Sequence, residues 1–234
     1  MKLNFARNNL HTDRQQACFI DEFQICYKSK PNKQIIRDRR RKFTGTLRRT
    51  YIKSKGSAGC SIMVCVAFSM HSKMPLALFI NERQQIRGHG PPVIINLTCT
   101  AQSFTNIVIP TLAEWYHQNN LNMLILDGAS CHVDAGVQTL MREHHINFIP
   151  FAGRGSHFQN GYPPNSNDYN IAENVIAEIK NRVWTKQPTC QRELIQYTQQ
   201  VWDELEVGFF ESLFESIPNR LQEAIRLQGY KTHY

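Results

Sequence analysis

The chain has 234 residues, 41% hydrophobic and 20% charged, with a formal net charge of +8; this supports a core of domain size and excludes a wholly disordered polypeptide. No stretch approaches the apolar length of a membrane span and MKLNFARNNL lacks the hydrophobic centre of a signal peptide, so the expectation is a soluble intracellular protein without membrane contact, nuclear if its host is eukaryotic. The positive charge is concentrated: residues 1–60 hold 15 Lys/Arg against 4 Asp/Glu, and residues 61–234 hold 12 against 15, an asymmetry that points to a polyanionic partner.

In chain order, ACFIDEFQICY predicts a strand from Cys18 to Tyr27 with Asp21 and Glu22 inside it. A carboxylate in a hydrophobic strand costs stability unless it is paired or binds a cation. Successive strand side chains face opposite ways, so only one of these two acids can enter a given site. The basic stretch follows: Arg37, Arg39, Arg40, Arg41 and Lys42, then Arg48, Arg49, Lys53 and Lys55. It reads as a phosphate-contacting footprint, or more plainly as a solvated loop or a nuclear-import signal. Ser61–Ser69 and Leu76–Ile80 read as two further strands, residues 81–102 as turn-rich, and Ser103–Asn119 as a helix that Pro110 should kink or break.

Leu121–Leu126 is a near-continuous apolar run, as expected of a buried central strand, ended by Asp127 and Gly128. Asp before Gly has an ordinary role as a turn former, but ligands in open α/β sheets gather beyond the carboxyl ends of parallel strands. A helix with a stripe from Val133 to His144 and a short strand, Ile146–Phe151, complete a strand–helix–strand crossover. The segment 151–170 is a Gly-, Asn- and Pro-rich loop.

A helix from about Ile171 to Trp184 buries Ile171, Val175, Ile179 and Val183, with Glu173 and Glu178 on opposite borders of that arc. Glu173 also profits from the helix dipole, and Asp168, more simply a cap or turn residue, is the reserve third ligand. Helices at 191–206 and 209–228 follow, the second interrupted by Pro218 and stopped by Gly229. The fold class is α/β: a mixed sheet of about five strands flanked by helices, with a helical C-terminal part. Asp21, Asp127 and Glu173 together read as a site for a hard divalent cation. The seven cysteines are scattered without a C-x-x-C pair, which argues against a zinc or disulfide framework. His132, His144 and His145 near Cys131 lack closed ligand spacing for a soft metal. Trp115, Trp184 and Trp202 fall on apolar helix faces and are expected in the core.

LILDGASCH with INFIPF, and PPNSNDYNIAENVIAEIKNRV, resemble the second and third acidic motifs of the mariner superfamily of DDE transposases, in its Asp-Asp-Glu branch; FIDEF is similar to the first motif, and SIPNRLQEAIRLQGYKTHY to the tail of such proteins. The resemblance implies one RNase H-like catalytic domain over residues 1–234, with 185–234 as a helical extension and 152–161 as a loop insertion. It further implies the triad Asp21, Asp127 and Glu173 holding two Mg2+ or Mn2+ ions for cut-and-paste DNA transposition: cleavage of DNA phosphodiesters and strand transfer. The implied partner is double-stranded DNA, transposon ends and target, bridged by a homodimer.

The chain departs from the pattern at Gly128, where the family has Asn, and in SNDYNIAE, where the family run is Ser-Pro-Asp-Leu-Asn-Pro-Ile-Glu. Relatives carry N-terminal helix-turn-helix modules, whereas this chain begins almost at its first acidic strand, so sequence-specific recognition of DNA ends is not expected of it alone. The alternative is an inactive or co-opted transposase-derived protein that binds DNA without cutting it.

Overall fold

In the computed structural model, which describes residues 1–26, 61–83, 93–150, 152, 161–164, 166 and 168–234, helix α1 (Lys2–Asn9) leads into β1 (Ala17–Cys26). The nine basic residues from Arg37 to Lys55, Cys60 and nearly all of the expected insertion at 152–161 lie outside the described residues. β2 (Ser61–Ser69) follows, then a two-residue β3 (Ala77–Leu78). β4 (Ile80–Arg83) and β5 (Val93–Asn96) pair with each other as a separate antiparallel ribbon. The expected strand Leu76–Ile80 is thus divided. Its first half stays on β2, and at Phe79 the backbone bonds both to Met63 O (3.0 Å) and to Leu97 N (2.7 Å), which sends Ile80 into the ribbon.

The helix expected at Ser103–Asn119 runs on through Pro110 as α2 (Ala101–Ser103), a π-helical turn (Phe104–Val108) and α3 (Ile109–Gln118). Proline lacks an N–H and its ring clashes with the carbonyl four residues back; the wider turn just before it, closed by Ile109 N–H to Phe104 O, places Pro110 at the start of α3. β6 (Met123–Ile125), α4 (Ser130–Val133) and α5 (Ala135–Glu143) come next. The strand expected at Ile146–Phe151 contracts to one parallel bridge, Leu124 to Phe148. Among the described residues the sheet therefore has four strands, in the order β3-β2-β1-β6, with that bridge at the fifth position.

Three helices complete the chain: α6 (Ala172–Thr185), α7 (Gln191–Glu204) and α8 (Val207–Arg226). Pro218 does not interrupt α8. Phe214, Ile217 and Leu221, on either side of it, are all buried, and the packing of that face outweighs the lost hydrogen bond. The helix ends as expected near Gly229, which has φ +83° and donates back to Ala224 O.

The sheet separates two cores, and the alternation along β1 decides which side chains enter each. Phe19, Phe23 and Ile25 face α6, α7 and α8, together with Phe68, Val175, Ile179, Trp202 and Phe210. Cys18 and Ile20 face the other way, against Phe104, Leu112, Trp115 and Met141. Trp184 departs from expectation: it is 46% exposed at the end of α6. Lys73 ties the second layer of helices to the sheet, its ammonium donating to the carbonyls of Trp202, Asp203 and Leu205 at the C-terminus of α7. Among the described residues no helix is long and apolar enough to cross a membrane.

Phe68 is fully buried with its ring stacked 5.2 Å from Phe210 and edge-on to Phe214. Phe68→Ala is expected to lower the unfolding free energy by about 3–5 kcal/mol, read as a fall in the denaturant midpoint.

Candidate active site

Register brings two acids together. β1 and β6 pair in parallel through Ala17↔Met123, Cys18↔Leu124 and Phe19↔Ile125. Continued two residues past the last paired rung, the same register sets Asp127 beside Asp21. Asp21 lies on the β1 face that packs against α6, and α6 carries Glu173 in its first turn. Asp21 is buried, Glu173 is exposed, and the side chain of Asp127 is 44% exposed.

The charges of Asp127, Glu22 and Glu173 all act on Asp21. Burial foremost, then Asp127 and Glu22, push its carboxyl up to about 7 against the opposing hydrogen bond from Asn170, with Glu173 adding a further upward push. Asn170 Nδ2 donates to Asp21 Oδ2 at 2.8 Å, while Asn170 Oδ1 and O accept the N–H groups of Ala172 and Glu173. One buried side chain thereby fixes the first acid relative to the helix that bears the third.

Asp127 is shifted in the opposite sense. Burial works against its charge, yet hydrogen bonds from His132 and from the Ala129 N–H, with the positive charge of His132, hold it below the ordinary carboxylate range. Both bonds end on Oδ1, at 2.9 Å each. His132 is fully buried, and its Nε2 lies 3.1 Å from Glu22 Oε1. Burial alone would lower the imidazole, but Glu22 and Asp127 on either side raise it well above its usual value. An imidazolium between two carboxylates is the consistent protonation state.

Cys131 and Cys99 complete the environment of Glu22, with sulfurs 3.2 Å apart. Their shared hydrogen bond lowers the Cys131 thiol and raises that of Cys99. Both Asp21 and Glu22 therefore sit among functional-looking groups, but on opposite faces of the sheet.

Asp168 is elsewhere engaged. Its Oδ1 accepts from Lys2 Nζ at 3.0 Å, its Oδ2 from the Thr232 N–H and hydroxyl at 3.3 Å, and its carbonyl from Arg220. Glu178 pairs with Arg182 at 2.7 Å. His144 caps α5, with its carbonyl 2.7 Å from His117 Nε2, and His145 takes a left-handed φ of +53° in the turn that follows. Asn170, Glu22 and His132 were not singled out as site residues from sequence. The signal for the last two was the second buried carboxylate on β1, which demands a cationic partner.

Burial first, then the like charges around it, drive Asp21 toward its protonated form; Asp21, Asp127 and Glu173 offer oxygen donors only, the chemistry that suits Mg2+ or Mn2+.

A sequence profile described as DDE superfamily endonuclease matches residues 16–195. No curated protein of similar sequence matches the chain. Among solved structures, the fold is similar to the catalytic domain of Mos1 mariner transposase, with 12% identity and a TM-score of 0.65 over 99% of this chain and 94% of that one. The Mos1 transposase catalytic domain with Raltegravir and Mn gives 11% identity and a TM-score of 0.66 over the same shares. For the Mos1 transposase paired-end complex with left transposon end the identity is 13% and the TM-score 0.67, covering 97% of this chain. The chain spans 61% of the length of that Mos1 chain. At these identities the likeness carries the fold, an RNase H-like mixed sheet flanked by helices with a helical C-terminal part.

Two measurements follow from the geometry. Asp21 has a folded pKa above its unfolded value of about 3.9, so its ionisation opposes folding: stability from this group falls as pH rises from about 4 to about 7 and stays low above that. With a chelator present, Asp21→Asn is expected to raise the unfolding free energy at pH 8 by about 2–4 kcal/mol, at ~1.4 kcal/mol per pKa unit. The gain should vanish below about pH 4, where aspartate is protonated in both states. Asp168→Asn, by contrast, should cost roughly 2–3 kcal/mol by unpairing Lys2 and Thr232, seen as a lower denaturant midpoint with Mn2+ affinity unchanged.

Proposed function

The chain belongs to the DDE superfamily endonuclease family, and from that premise we propose that it is a transposase-type catalytic domain that cleaves DNA phosphodiesters and transfers the cut strand. The observation that carries this reading is the buried carboxyl of Asp21, which stands beside Asp127 in the extended β1–β6 register and on which the charges of Asp127 and, more weakly, Glu173 both act. Two Mg2+ or Mn2+ ions, when bound there, would polarise the scissile phosphate and acidify the attacking water or 3′-hydroxyl.

The remaining steps belong to the chain's own side chains. Asp21, on which the charges of both other acids act, would be a ligand to the metal, and Asn170 holds its Oδ2 in place. His132 and the Ala129 N–H bind Asp127 Oδ1, which keeps that carboxylate ionised and leaves Oδ2 as the oxygen to offer. Glu173, exposed in the first turn of α6, supplies the ligand that meets solvent and therefore substrate. No protein nucleophile is required.

Duplex DNA is the partner that the basic first quarter suits, with Arg37, Arg39, Arg40, Arg41, Lys42, Arg48, Arg49, Lys53 and Lys55 contacting backbone phosphates, which position a duplex without reading its sequence. Transposon ends are the substrate class, and a dimer would bring two of them together.

Cleavage of labelled duplex DNA in Mn2+, Mg2+ or chelator tests the reading. The expected result is metal-dependent nicking that Asp127→Asn, Asp21→Ala and Glu173→Ala each abolish, while the far-ultraviolet circular dichroism of Asp127→Asn matches wild type. Nicking that survives Asp127→Asn would reject the assignment. Salt-sensitive DNA binding with no nicking would instead mark a co-opted DNA-binding protein.

A further inference from the structure

The β1 face opposite Asp21 gathers a second donor set of different chemistry. His132 Nε2 lies 3.1 Å from Glu22 Oε1, Cys131 Sγ 4.0 Å from Glu22 Oε2, and Cys99 Sγ 3.2 Å from Cys131 Sγ. Ligand atoms of Glu22, Cys131 and His132 all fall within 4.8 Å of one another. In a tetrahedral zinc site, with Zn–N near 2.0 Å and Zn–S near 2.3 Å, neighbouring ligand atoms stand about 3.3–3.8 Å apart. The three separations straddle those edges.

We propose that Glu22, Cys131 and His132 form a structural Zn2+ site behind the candidate active site, with Cys99, which meets the group through Cys131 Sγ, closing on the ion as the fourth ligand. Two sulfurs, one imidazole nitrogen and one carboxylate oxygen are a four-ligand set that favours zinc over the hard cations suited to the Asp21 side. The ligands come from three places in the chain: β1, the segment before α2, and α4. A bound ion would therefore cross-link elements that otherwise meet through side-chain packing.

His132 has the disposition that metal-bound histidines show. Its Nε2 faces the donor set while its Nδ1 is held by the Asp127 carboxylate at 2.9 Å, an outer partner that fixes ring orientation. Cys65 Sγ, 3.5 Å from Glu22 Oε1, plays the same orienting part for the carboxylate. Cys131 and His132 are buried, which suits a closed structural site, and Cys99 is half-buried, which leaves a path of entry.

The test is a Co2+ titration of the reduced, metal-free full chain in excess Mg2+, which occupies oxygen-only sites without colour. The expected result is a saturable thiolate-to-cobalt charge-transfer band with the intense visible bands of tetrahedral cobalt, displaced by a single Zn2+ per chain. Cys99→Ser and Cys131→Ser should each weaken Co2+ binding at least about tenfold and diminish the charge-transfer band, while Cys190→Ser, at an exposed thiol, leaves both unchanged. Only weak octahedral bands, or a thiolate band that survives the Cys99 and Cys131 changes, would overturn the proposal. Should Cys131→Ser not fold, Cys99→Ser with an unaltered circular dichroism spectrum decides alone. The readout is independent of DNA cleavage and holds whether or not the neighbouring carboxylates cut.

Discussion

A central strand that carries a buried acid on each face is the constraint to which this architecture answers. β1 is paired on both sides, to β2 and to β6, and its alternation sends Asp21 toward α6 and Glu22 toward α4. Neither carboxylate can be left alone in a low-dielectric interior. Glu22 is compensated within the chain, by His132. Asp21 has Asn170, a neutral donor, and three negative neighbours. In the metal-free chain the Glu22 side has its counter-charge in the His132 imidazolium, whose Nε2 proton a bound Zn2+ would displace, whereas the Asp21 side is short of positive charge.

That difference propagates through a single imidazole. His132 touches Glu22 with one nitrogen and Asp127 with the other, so the closed face orients an acid of the open one. The two aspartates, side by side in the extended register, are consequently unlike: Asp21 is held toward its neutral form and Asp127 toward its charged form. Pairs of acids whose surroundings push their affinities for a proton apart are a common basis for dividing roles within one site.

Much of the fold could be read from periodicity alone. β2 spans Ser61–Ser69 as its apolar run predicts, and Ile171, Val175, Ile179 and Val183 are all fully buried. Prolines misled: Pro110 and Pro218 are breakers by local rule, but a π turn admits the first and a buried face carries the helix past the second. Trp184 misled in the other direction, because a side chain near a helix end can stay half in solvent, and its indole N–H donates to Cys26 O at 3.4 Å. The three acids stood out by setting, each anomalous in its own segment. That the charges of the other two would act on Asp21 was not legible, since it depends on the parallel register of β1 and β6 and on where α6 starts. The Glu22–His132 link and the Cys99–Cys131 contact were further out of reach, because they join positions 110 and 32 residues apart through tertiary packing.

Asp168 accepts from Lys2 with one oxygen and from Thr232 with the other. The first helix and the segment after α8 thus meet at one carboxylate, five residues before Glu173, and both flanks of the fold are tied to the loop that leads into α6.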